Sequence, residues 1–421
     1  MKGTIIIMNY VIIGNSAAAV GCIEGLRKND TKASITVISD EVHHVYSRPL
    51  ISYYLAGTVT HENMVYRKAD FYEKMNVKTM LGSKATAIDA KKKAVTLENG
   101  ETVGYDKLLI ATGSSAFVPP IDGLDKQNNV FTFLKYDSAL DIEKLIDKDA
   151  KVVIVGAGLI GLKAAEGLAP VSGSVHVVEM ADRVLPMILD EQGAAPVQAK
   201  MQENGVTFHL GITAQKVVDK DRVEKVVLKD GTEIACDVLV MAVGVRPNVA
   251  EAMAAGVKAN RGILVDENMR TNVDDIYAAG DVTEAVDVTT GEHKIMALWP
   301  NAYLQGRAAA YDMCSAEHDF DGVFPMNAVG FFGLPIITAG VQDGEDMQVL
   351  STGENGESKR FIVKDDILVG MILVGDVDRA GIYTYLMSEK IPLSTLTKKL
   401  TDDDFGLMAF EEEQRNERLS S

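Results

Sequence analysis

Two segments of the chain share one pattern, an uninterrupted apolar run that breaks into small residues and leads into a helical stretch. They cover Tyr10–Ala19 and Val152–Gly161. Each is followed by a second β-branched run that ends in an acid, Ile35–Asp40 and Val175–Glu179. Apolar runs without alternation, separated by a helix, are typical of βαβ units in a parallel sheet that is buried on both faces. The pattern therefore predicts an α/β fold with two Rossmann-type domains.

Each unit closes with another apolar strand and a turn of small residues, at Leu108–Gly113 and Val238–Gly244. After about Phe320 the texture changes to short apolar stretches between turns, followed by a helical segment over about residues 380–390. The stretches expected to form strands are Asn327–Gly340, Met347–Leu350, Arg360–Val363 and Ile367–Val374. This texture predicts a small C-terminal α+β domain over residues 323–421.

The first strand-to-helix turn can bind a pyrophosphate, because a helix N-terminus offers free N–H groups and a partial positive charge. Gly14 makes the turn, Ser16 stands where a second glycine is usual, and Ala19 lets the helix pack on the sheet. Asp40 can accept hydrogen bonds from both hydroxyls of a ribose, with Glu41 as the neighbouring alternative. A plain structural corner is the other interpretation of this segment. The candidate binding residues are Gly14, Ser16, Ala17, Ala18, Asp40 and Glu41.

The second turn carries a complete G-x-G-x-x-G fingerprint at Gly156, Gly158 and Gly161. Glu179 ends the next strand, where a carboxylate accepts from the adenine ribose 2′-hydroxyl and repels a 2′-phosphate, which favours NADH over NADPH. Arg183 keeps NADPH open, since its guanidinium could reach a phosphate. The candidate residues are Gly156, Gly158, Leu159, Ile160, Gly161, Glu179 and Gly244.

Composition narrows the function classes. The 421 residues include 42 basic and 60 acidic side chains, a net charge of −18, so a nucleic-acid-binding protein is not expected. The three cysteines are scattered, without a C-x-x-C motif or a metal-ligand spacing, so we expect no metal site and a reducing compartment. The opening apolar run is too short for a signal peptide, and no stretch approaches the roughly 20 apolar residues of a membrane span. A cytoplasmic protein is the resulting expectation.

The two fingerprints, the turns at Ala111–Gly113 and Ala242–Gly244, and the Gly280–Asp281 turn occur in a characteristic order. Together they resemble the FAD-dependent pyridine nucleotide–disulfide oxidoreductase superfamily over residues 9–310. The resemblance implies that the first fingerprint binds FAD and the second binds NAD(P)H. It also implies that Gly280–Asp281, following an apolar run, returns to the flavin.

This return makes the first domain discontinuous, with the second inserted into it. The expected boundaries are 1–118 and 248–322 for FAD, 119–247 for NAD(H) and 323–421 for the C-terminal interface domain. Asp281, expected near a helix start, could accept a hydrogen bond from a ribityl hydroxyl, although such a pair is often only a turn. The FAD residues added by the resemblance at these turns are Ala111, Thr112, Gly113, Gly280 and Asp281.

A more specific resemblance lies in Val45–Gly57, which is similar to rubredoxin reductases and to the flavin module of nitrite reductase large subunits. It implies that Arg48 and Pro49 pack beside the FAD, the alternative for Arg48 being a surface ion pair. Trp299 lies in a segment from which relatives often place an aromatic ring by the pyrimidine end of the flavin. A core or rim position is the alternative for this tryptophan.

Two departures from the superfamily matter. Redox-active members carry cysteines beside the flavin, in a C-x-x-x-x-C motif or singly near residues 46–52, and this chain carries none there. Cys22 is expected to be a buried apolar residue. Relatives also place a lysine near flavin N5, paired with a glutamate, where this chain has Tyr53 and Lys163. We hypothesise that Lys163 supplies the cation that stabilises the reduced anionic flavin, the alternative being a solvated helix lysine.

These observations predict an oxidoreductase that passes electrons from NADH through FAD to an external acceptor, a small iron–sulfur protein or a rubredoxin. A peroxidase or water-forming oxidase is disfavoured by the missing cysteine, although an NADH oxidase remains an alternative. The other alternative is a flavin-binding electron-entry subunit of a larger redox complex. A homodimer or a complex subunit is the expected assembly. Phe331 and Phe332 either close over the flavin or pack in a core.

Overall fold

The computed structural model describes residues 7–124, 128–218, 222–318, 320, 322–353, 356–412 and 415. The chain divides into two compact units. The first contains the residues up to Pro49, then Thr60–Ser115 and Val245–Phe324. The second contains Leu50–Val59, Ala116–Gly244 and the residues from Pro325 onward. The three domain boundaries drawn from the sequence stay a prediction.

Helices and strands follow one another throughout the described part of the chain. The α-helices are α1 (Ala17–Asn29), α2 (Ile51–Leu55), α3 (Phe71–Lys74), α4 (Tyr136–Glu143), α5 (Leu159–Leu168), α6 (Glu191–Glu203), α7 (Ala250–Ala254), α8 (Trp299–Met313) and α9 (Ala380–Ser388). Short 3₁₀ helices span Arg48–Leu50, His61–Met64, Leu393–Thr395 and Leu407–Ala409. The strands are β1 (Asn9–Ile13), β2 (Ser34–Ser39), β3 (Val77–Leu81), β4 (Ala85–Asp89), β5 (Ala94–Leu97), β6 (Thr102–Gly104), β7 (Lys107–Ile110), β8 (Ser114–Ala116), β9 (Val130–Thr132), β10 (Lys151–Val155), β11 (Ser174–Glu179), β12 (Val206–Leu210), β13 (Ala214–Val218), β14 (Lys225–Leu228), β15 (Glu233–Ala235), β16 (Val238–Met241), β17 (Val245–Pro247), β18 (Ile263–Leu264), β19 (Ile276–Ala278), β20 (Thr283–Val286), β21 (His293–Lys294), β22 (Met326–Phe331), β23 (Leu334–Gly340), β24 (Gln348–Thr352), β25 (Ser358–Lys364) and β26 (Ile367–Val374).

The first unit is built on a parallel sheet with the strand order β19-β7-β1-β2-β3. Its central strand is buried along Val11 and Ile12, as the uninterrupted apolar run predicts. Ile13 lies opposite both Ile38 and Ile110, so β1, β2 and β7 end at one edge of the sheet. The residues that follow these strands therefore gather at that edge.

Helices α1 and α8 pack against each other in the first unit at backbone distance. An ideal Cβ on Gly306 would lie 1.9 Å from the Ala18 carbonyl oxygen, and one on Gly21 would lie 2.1 Å from the Tyr303 carbonyl oxygen. Both atoms that would be struck belong to the backbone and cannot rotate away. The two glycines therefore set how closely the fingerprint helix approaches its neighbour.

Strand β19 pairs in parallel with β7 and completes the first sheet, where the resemblance expected the Gly280–Asp281 turn to return. The expectation that Asp281 lies near a helix start is wrong. The turn at Gly280, with φ +83°, leads into β20 instead. The run from Thr283 to Val286 pairs with both β18 and β21, and these strand hydrogen bonds outweigh any local helical preference.

The second unit contains a parallel sheet with the order β12-β11-β10-β16-β9. Val155 lies opposite both Val178 and Met241, so the carboxyl ends of β10, β11 and β16 again coincide. Helix α5 begins just beyond β10, after the glycine-rich turn. The strand–turn–helix expected around the second fingerprint is confirmed.

The C-terminal part of the second unit is an antiparallel sheet with the order β22-β23-β26-β25-β24. Helix α9 supplies Tyr383, which is stacked on Phe405 and tilted against Phe361, with all three rings buried. The short strands and the helix predicted for this region are confirmed. Strand β26, at the centre of this sheet, is buried continuously from Gly370 to Val374.

Candidate functional site

The first fingerprint is shaped to receive a charged group at the carboxyl edge of the first sheet. Gly14 has φ +120°, and an ideal Cβ would lie 2.1 Å from the Ala111 carbonyl oxygen, so only glycine fits. Ser16 is the N-cap of α1, and its side chain makes no capping hydrogen bond. The first-turn N–H groups that such a cap usually binds, at Ala18 and Ala19, thus have no acceptor from Ser16, which is an arrangement that a phosphate can use.

The Gly280–Asp281 turn reaches the same edge of the sheet. An ideal Cβ on Gly280 would lie 3.3 Å from the Ala18 Cβ. The Gly280 N–H donates to Gln305 Oε1 at 2.7 Å, and Gln305 is buried within α8. The sequence alone indicates no role for Gln305. In the sequence Gln305 is only a single amide side chain among small residues. Its partner, the Gly280 N–H, is brought close to it by the fold.

Arg48 lies among acidic and aromatic partners in the first unit. Its guanidinium forms an ion pair with Glu41 and lies over the Tyr46 ring, 5.2 Å from the ring centroid. Tyr46 donates its hydroxyl hydrogen to the other Glu41 oxygen at 2.7 Å. Burial lowers the pKa of Arg48, but the neighbouring Tyr46 and Glu41 outweigh it and the pKa is raised. Both Glu41 oxygens are engaged, whereas Asp40 is exposed directly after β2.

The charge of Asp281 is tied to Arg48. Burial raises the pKa of Asp281, while the positive charge of Arg48 and a hydrogen bond with Ser114 act in the opposite direction. A carboxyl group whose pKa is raised by burial and that lies beside a cation is typical of functional sites. The fold therefore brings together Arg48 and Asp281, which the sequence places more than two hundred residues apart.

The remaining FAD candidates lie around this edge. Thr112 donates its hydroxyl hydrogen to the Asn248 carbonyl oxygen at 3.0 Å, and the Asn248 amide donates to the Thr112 carbonyl oxygen at 2.9 Å. This reciprocal pair fixes the turn at Thr112 and Gly113, and sequence reasoning missed Asn248. Trp299 is half-buried at the start of α8, edge-on to Tyr66 with ring centroids 5.0 Å apart. Its expected place beside the flavin stays a prediction. Pro49 lies in the 3₁₀ helix Arg48–Leu50.

The second fingerprint uses its glycines in two ways. Ideal Cβ atoms on Gly156 and Gly161 would lie 2.3 Å from the Ala242 carbonyl oxygen and 2.0 Å from the Gly156 carbonyl oxygen. These two positions therefore permit close packing. Gly158 is the N-cap of α5 and has open space where a Cβ would be, as does Gly244. The residues present thus fit a dinucleotide phosphate above the helix N-terminus formed by Leu159 and Ile160.

Glu179 is fixed at the end of β11 by two backbone hydrogen bonds. Its Oε2 accepts from the Ala157 N–H at 2.7 Å, and its Oε1 accepts from the Ala181 N–H at 2.8 Å. Arg183 instead donates to the Leu189 carbonyl oxygen at 3.2 Å and pairs with Asp182 at 2.9 Å. The carboxylate is thus held in one orientation at the end of β11, and the guanidinium is engaged elsewhere.

Lys163 lies on α5 in a cluster within the second unit. Its ammonium group donates to Tyr53 Oη and to the Gly330 carbonyl oxygen, each at 3.3 Å, and forms an ion pair with Glu166. The same ammonium lies 4.4 Å from the centroid of the Tyr53 ring. The side chain of Lys163 is only 16% exposed, which differs from the solvated helix lysine considered as the alternative. Phe331 is fully buried, as core packing predicts.

None of the three cysteines has the properties of a reactive thiol. Cys22 is fully buried in α1, as predicted, and burial raises its pKa. Burial also raises the pKa of Cys236 to about 12 and raises the pKa of Cys314. All three are free thiols. A reactive thiolate is not favoured at any of these positions.

The family model described as pyridine nucleotide-disulphide oxidoreductase matches residues 8–306, a span that contains both fingerprints and the Gly280–Asp281 turn. The chain belongs to this family. Membership of this family implies binding of FAD and of a pyridine nucleotide, the two cofactors that the fingerprints are expected to hold.

Two curated relatives match nearly the whole chain. The assimilatory nitrate reductase electron transfer subunit of Bacillus subtilis is 30% identical over 97% of this chain and 53% of the relative. The subunit epsilon of the NADH-dependent phenylglyoxylate dehydrogenase of Aromatoleum evansii is 29% identical over 93% of this chain and 94% of the relative. The chain thus spans about half the length of the first relative and nearly all of the second.

Among solved structures, a chain of the covalent putidaredoxin reductase–putidaredoxin complex matches with a TM-score of 0.84 and 25% identity over 98% of both chains. Within the described ranges, no helix is both long and apolar enough to cross a membrane. The same residues contain no group of three or more His, Cys, Asp or Glu side chains arranged to hold a metal ion.

Proposed function

We propose that the chain oxidises NADH and passes the electrons, by way of FAD, to an external one-electron protein acceptor such as an iron–sulfur protein or a rubredoxin. The observation that carries this proposal is the state of its thiols. Cys22, Cys236 and Cys314 are the only cysteines of the sequence, and each has a raised pKa. Because no internal disulfide can take the electrons, an acceptor outside the chain must do so.

The residues that would hold the cofactors lie at the carboxyl edges of the two parallel sheets. The turn at Gly14, the Arg48 guanidinium and Asp281 would hold FAD, while the turn at Gly156 and the oriented carboxylate of Glu179 would hold NADH. FAD accepts a hydride from a nicotinamide and can release electrons one at a time. The protein supplies binding and orientation, since hydride transfer itself needs no acid or base.

Lys163 is the residue that we propose supplies positive charge to the flavin. Its burial, its cation–π contact with Tyr53 and its pairing within the second unit support a fixed rather than a solvated ammonium. Replacing Lys163 with Met should slow the reduction of FAD by NADH about tenfold or more, because a cation no longer favours the reduced cofactor. Stopped-flow absorbance of the flavin measures this rate, and an unchanged rate would contradict the role.

The overall proposal is tested by mixing purified holoenzyme and NADH with a rubredoxin or a [2Fe–2S] protein. We expect fast reduction of the carrier and slow oxygen consumption. Oxygen consumption that matches NADH oxidation without any carrier would instead identify an NADH oxidase. A flavin that NADH does not reduce would refute the proposal.

A second candidate is an electron-entry subunit of a larger redox complex. It is favoured by the two relatives named as subunits, one of which this chain matches along 94% of its length. In that case NADH should reduce the flavin rapidly, yet small carriers should not sustain turnover. Affinity purification of the tagged chain from its host should then recover a catalytic partner subunit in fixed stoichiometry.

A further inference from the structure

Glu166 stands one helical turn after Lys163 on α5, and both of its carboxylate oxygens are engaged. Oε2 forms the ion pair with the Lys163 ammonium, and Oε1 accepts the Phe332 N–H at 2.7 Å. The Lys163 and Glu166 side chains are only 16% and 17% exposed. An ion pair so shielded from water is screened less than a surface pair, so its geometry is well defined.

The backbone group that Glu166 binds lies in the tight turn between β22 and β23. Phe331 and Leu334 are opposite each other, and the two residues between them have positive φ angles, +47° at Phe332 and +85° at Gly333. Turns of this form usually carry Asn, Asp or Gly at the first of these positions. A phenylalanine there needs outside support, and the hydrogen bond to Glu166 provides it.

The same turn and α2 enclose the ammonium group. Gly330 contributes its carbonyl oxygen, the Phe331 ring centroid lies 5.6 Å from Nζ, and Tyr53 covers another side. Helix α2 approaches α5 closely at Gly167, because an ideal Cβ there would lie only 2.6 Å from the Ser52 carbonyl oxygen. Each wall of the Lys163 cluster is thus fixed from a different element of the second unit.

We propose that Glu166 is a positioning residue, which holds the Lys163 ammonium beside Tyr53 and fastens the Phe332 turn of the C-terminal sheet to the nucleotide-binding helix. This inference rests on the proposed function, because it gives Lys163 a task in the reduction of FAD by NADH. Glu166 acts through Lys163 and needs no contact with either cofactor. A carboxylate one turn along the same helix thereby supplies the counter-charge to the cation.

The test is a double-mutant cycle on the holoenzyme, read as the rate of FAD reduction at saturating NADH. Glu166→Gln keeps an oxygen for the Phe332 N–H but removes the charge, and we expect it to slow reduction about tenfold with the Kd for NADH within about twofold of wild type. In the Lys163→Met background, the same change should alter the rate by less than about twofold, because the interaction has already been lost. Glu166→Asp, which keeps the charge, should recover part of the rate.

Glu203→Gln is the matched control. Lys200 and Glu203 on α6 have the same i,i+3 spacing, but the pair is exposed and its N–O distance is 3.2 Å, so this variant should reduce FAD at the wild-type rate. Equal slowing by Glu166→Gln with and without Lys163 would overturn the proposal, since the carboxylate would then act through the turn alone. A Glu166→Gln variant with the wild-type rate would overturn it as well. Failure of NADH to reduce the wild-type flavin would refute the proposed function itself, a result separable from failure of the cycle.

Discussion

The contact between α1 and α8 makes Gly306→Ala a sharp test of the fold around the first fingerprint. The added Cβ would lie 1.9 Å from the carbonyl oxygen of Ala18, 2.7 Å from its carbonyl carbon and 2.9 Å from its Cα. All three are backbone atoms, so no side-chain rotation relieves the overlap. The helices must separate by more than an ångström, or α1 must shift with its N-terminal turn.

The magnitude follows from two opposing effects. Forcing extra volume into a packed interior costs about 3 kcal/mol when backbone has to move. Alanine regains about 1 kcal/mol over glycine through its higher helix propensity. The net loss is about 2 kcal/mol, which for a unit of this size corresponds to a melting temperature lower by about 4–8 °C. Because Ala18 lies in the first turn of α1, the affinity for FAD should fall in parallel.

The assay heats the holoenzyme and follows the release of FAD by its fluorescence. A titration gives the Kd for FAD. Gly381→Ala is the matched control, since Gly381 is exposed in α9 and its Cβ would meet no atom within 4 Å. It should leave flavin release unchanged and stabilise its own helix by about 0.5–1 kcal/mol. A Gly306→Ala protein that releases flavin at the wild-type temperature would refute the close helix contact.

Three further predictions concern the two cofactor turns. Glu179→Ala removes the acceptor for the Ala157 N–H, and kcat/KM for NADH should fall about tenfold while that for NADPH falls less; an unchanged ratio in steady-state kinetics would exclude Glu179 as the selectivity residue. Gln305→Leu leaves the buried Gly280 N–H without its acceptor, so the free energy of unfolding in urea should fall by about 1–3 kcal/mol and the Kd for FAD should rise. An unchanged free energy of unfolding would contradict this prediction. Burial raises the pKa of Asp281 in the folded protein. At pH values above the ordinary aspartate pKa, ionisation of Asp281 therefore lowers the free energy of unfolding. Asp281→Asn should therefore stabilise the FAD-free protein at pH 7 and lose that advantage below about pH 4, whereas a less stable variant at pH 7 would contradict this sign.

The elements that could be predicted from sequence are those whose cause is local. Uninterrupted β-branched runs mark the strands around Ile12 and Ile154, because a strand buried on both faces tolerates only apolar residues. The glycines at 14 and 156 are required where backbone approaches backbone, which leaves a mark in the sequence itself. Hence the central strands of both parallel sheets, the two fingerprint turns and the C-terminal strands are predictable from the sequence.

The residues that escape prediction are those whose partners arrive from elsewhere in the chain. Gln305 and Asn248 look ordinary until the fold sets them against Gly280 and Thr112. The Glu166–Lys163 pair has a readable i,i+3 spacing, but its bond to the turn at residue 332 depends on the packing of a distant hairpin. The segment after Asp281 differs from expectation because strand pairing, rather than local propensity, decides its conformation.

The position of β19 in the first sheet has a consequence for how the protein is made. The strands of the second parallel sheet lie between residues 130 and 241 and are complete well before β19 leaves the ribosome. The first sheet, begun at β1, has an unpaired edge at β7 until residues 276–278 arrive. The nascent chain can therefore finish the sheet of residues 130–241 before the sheet that it started with, and the β7 edge of that first sheet is open to pairing with other strands during the interval.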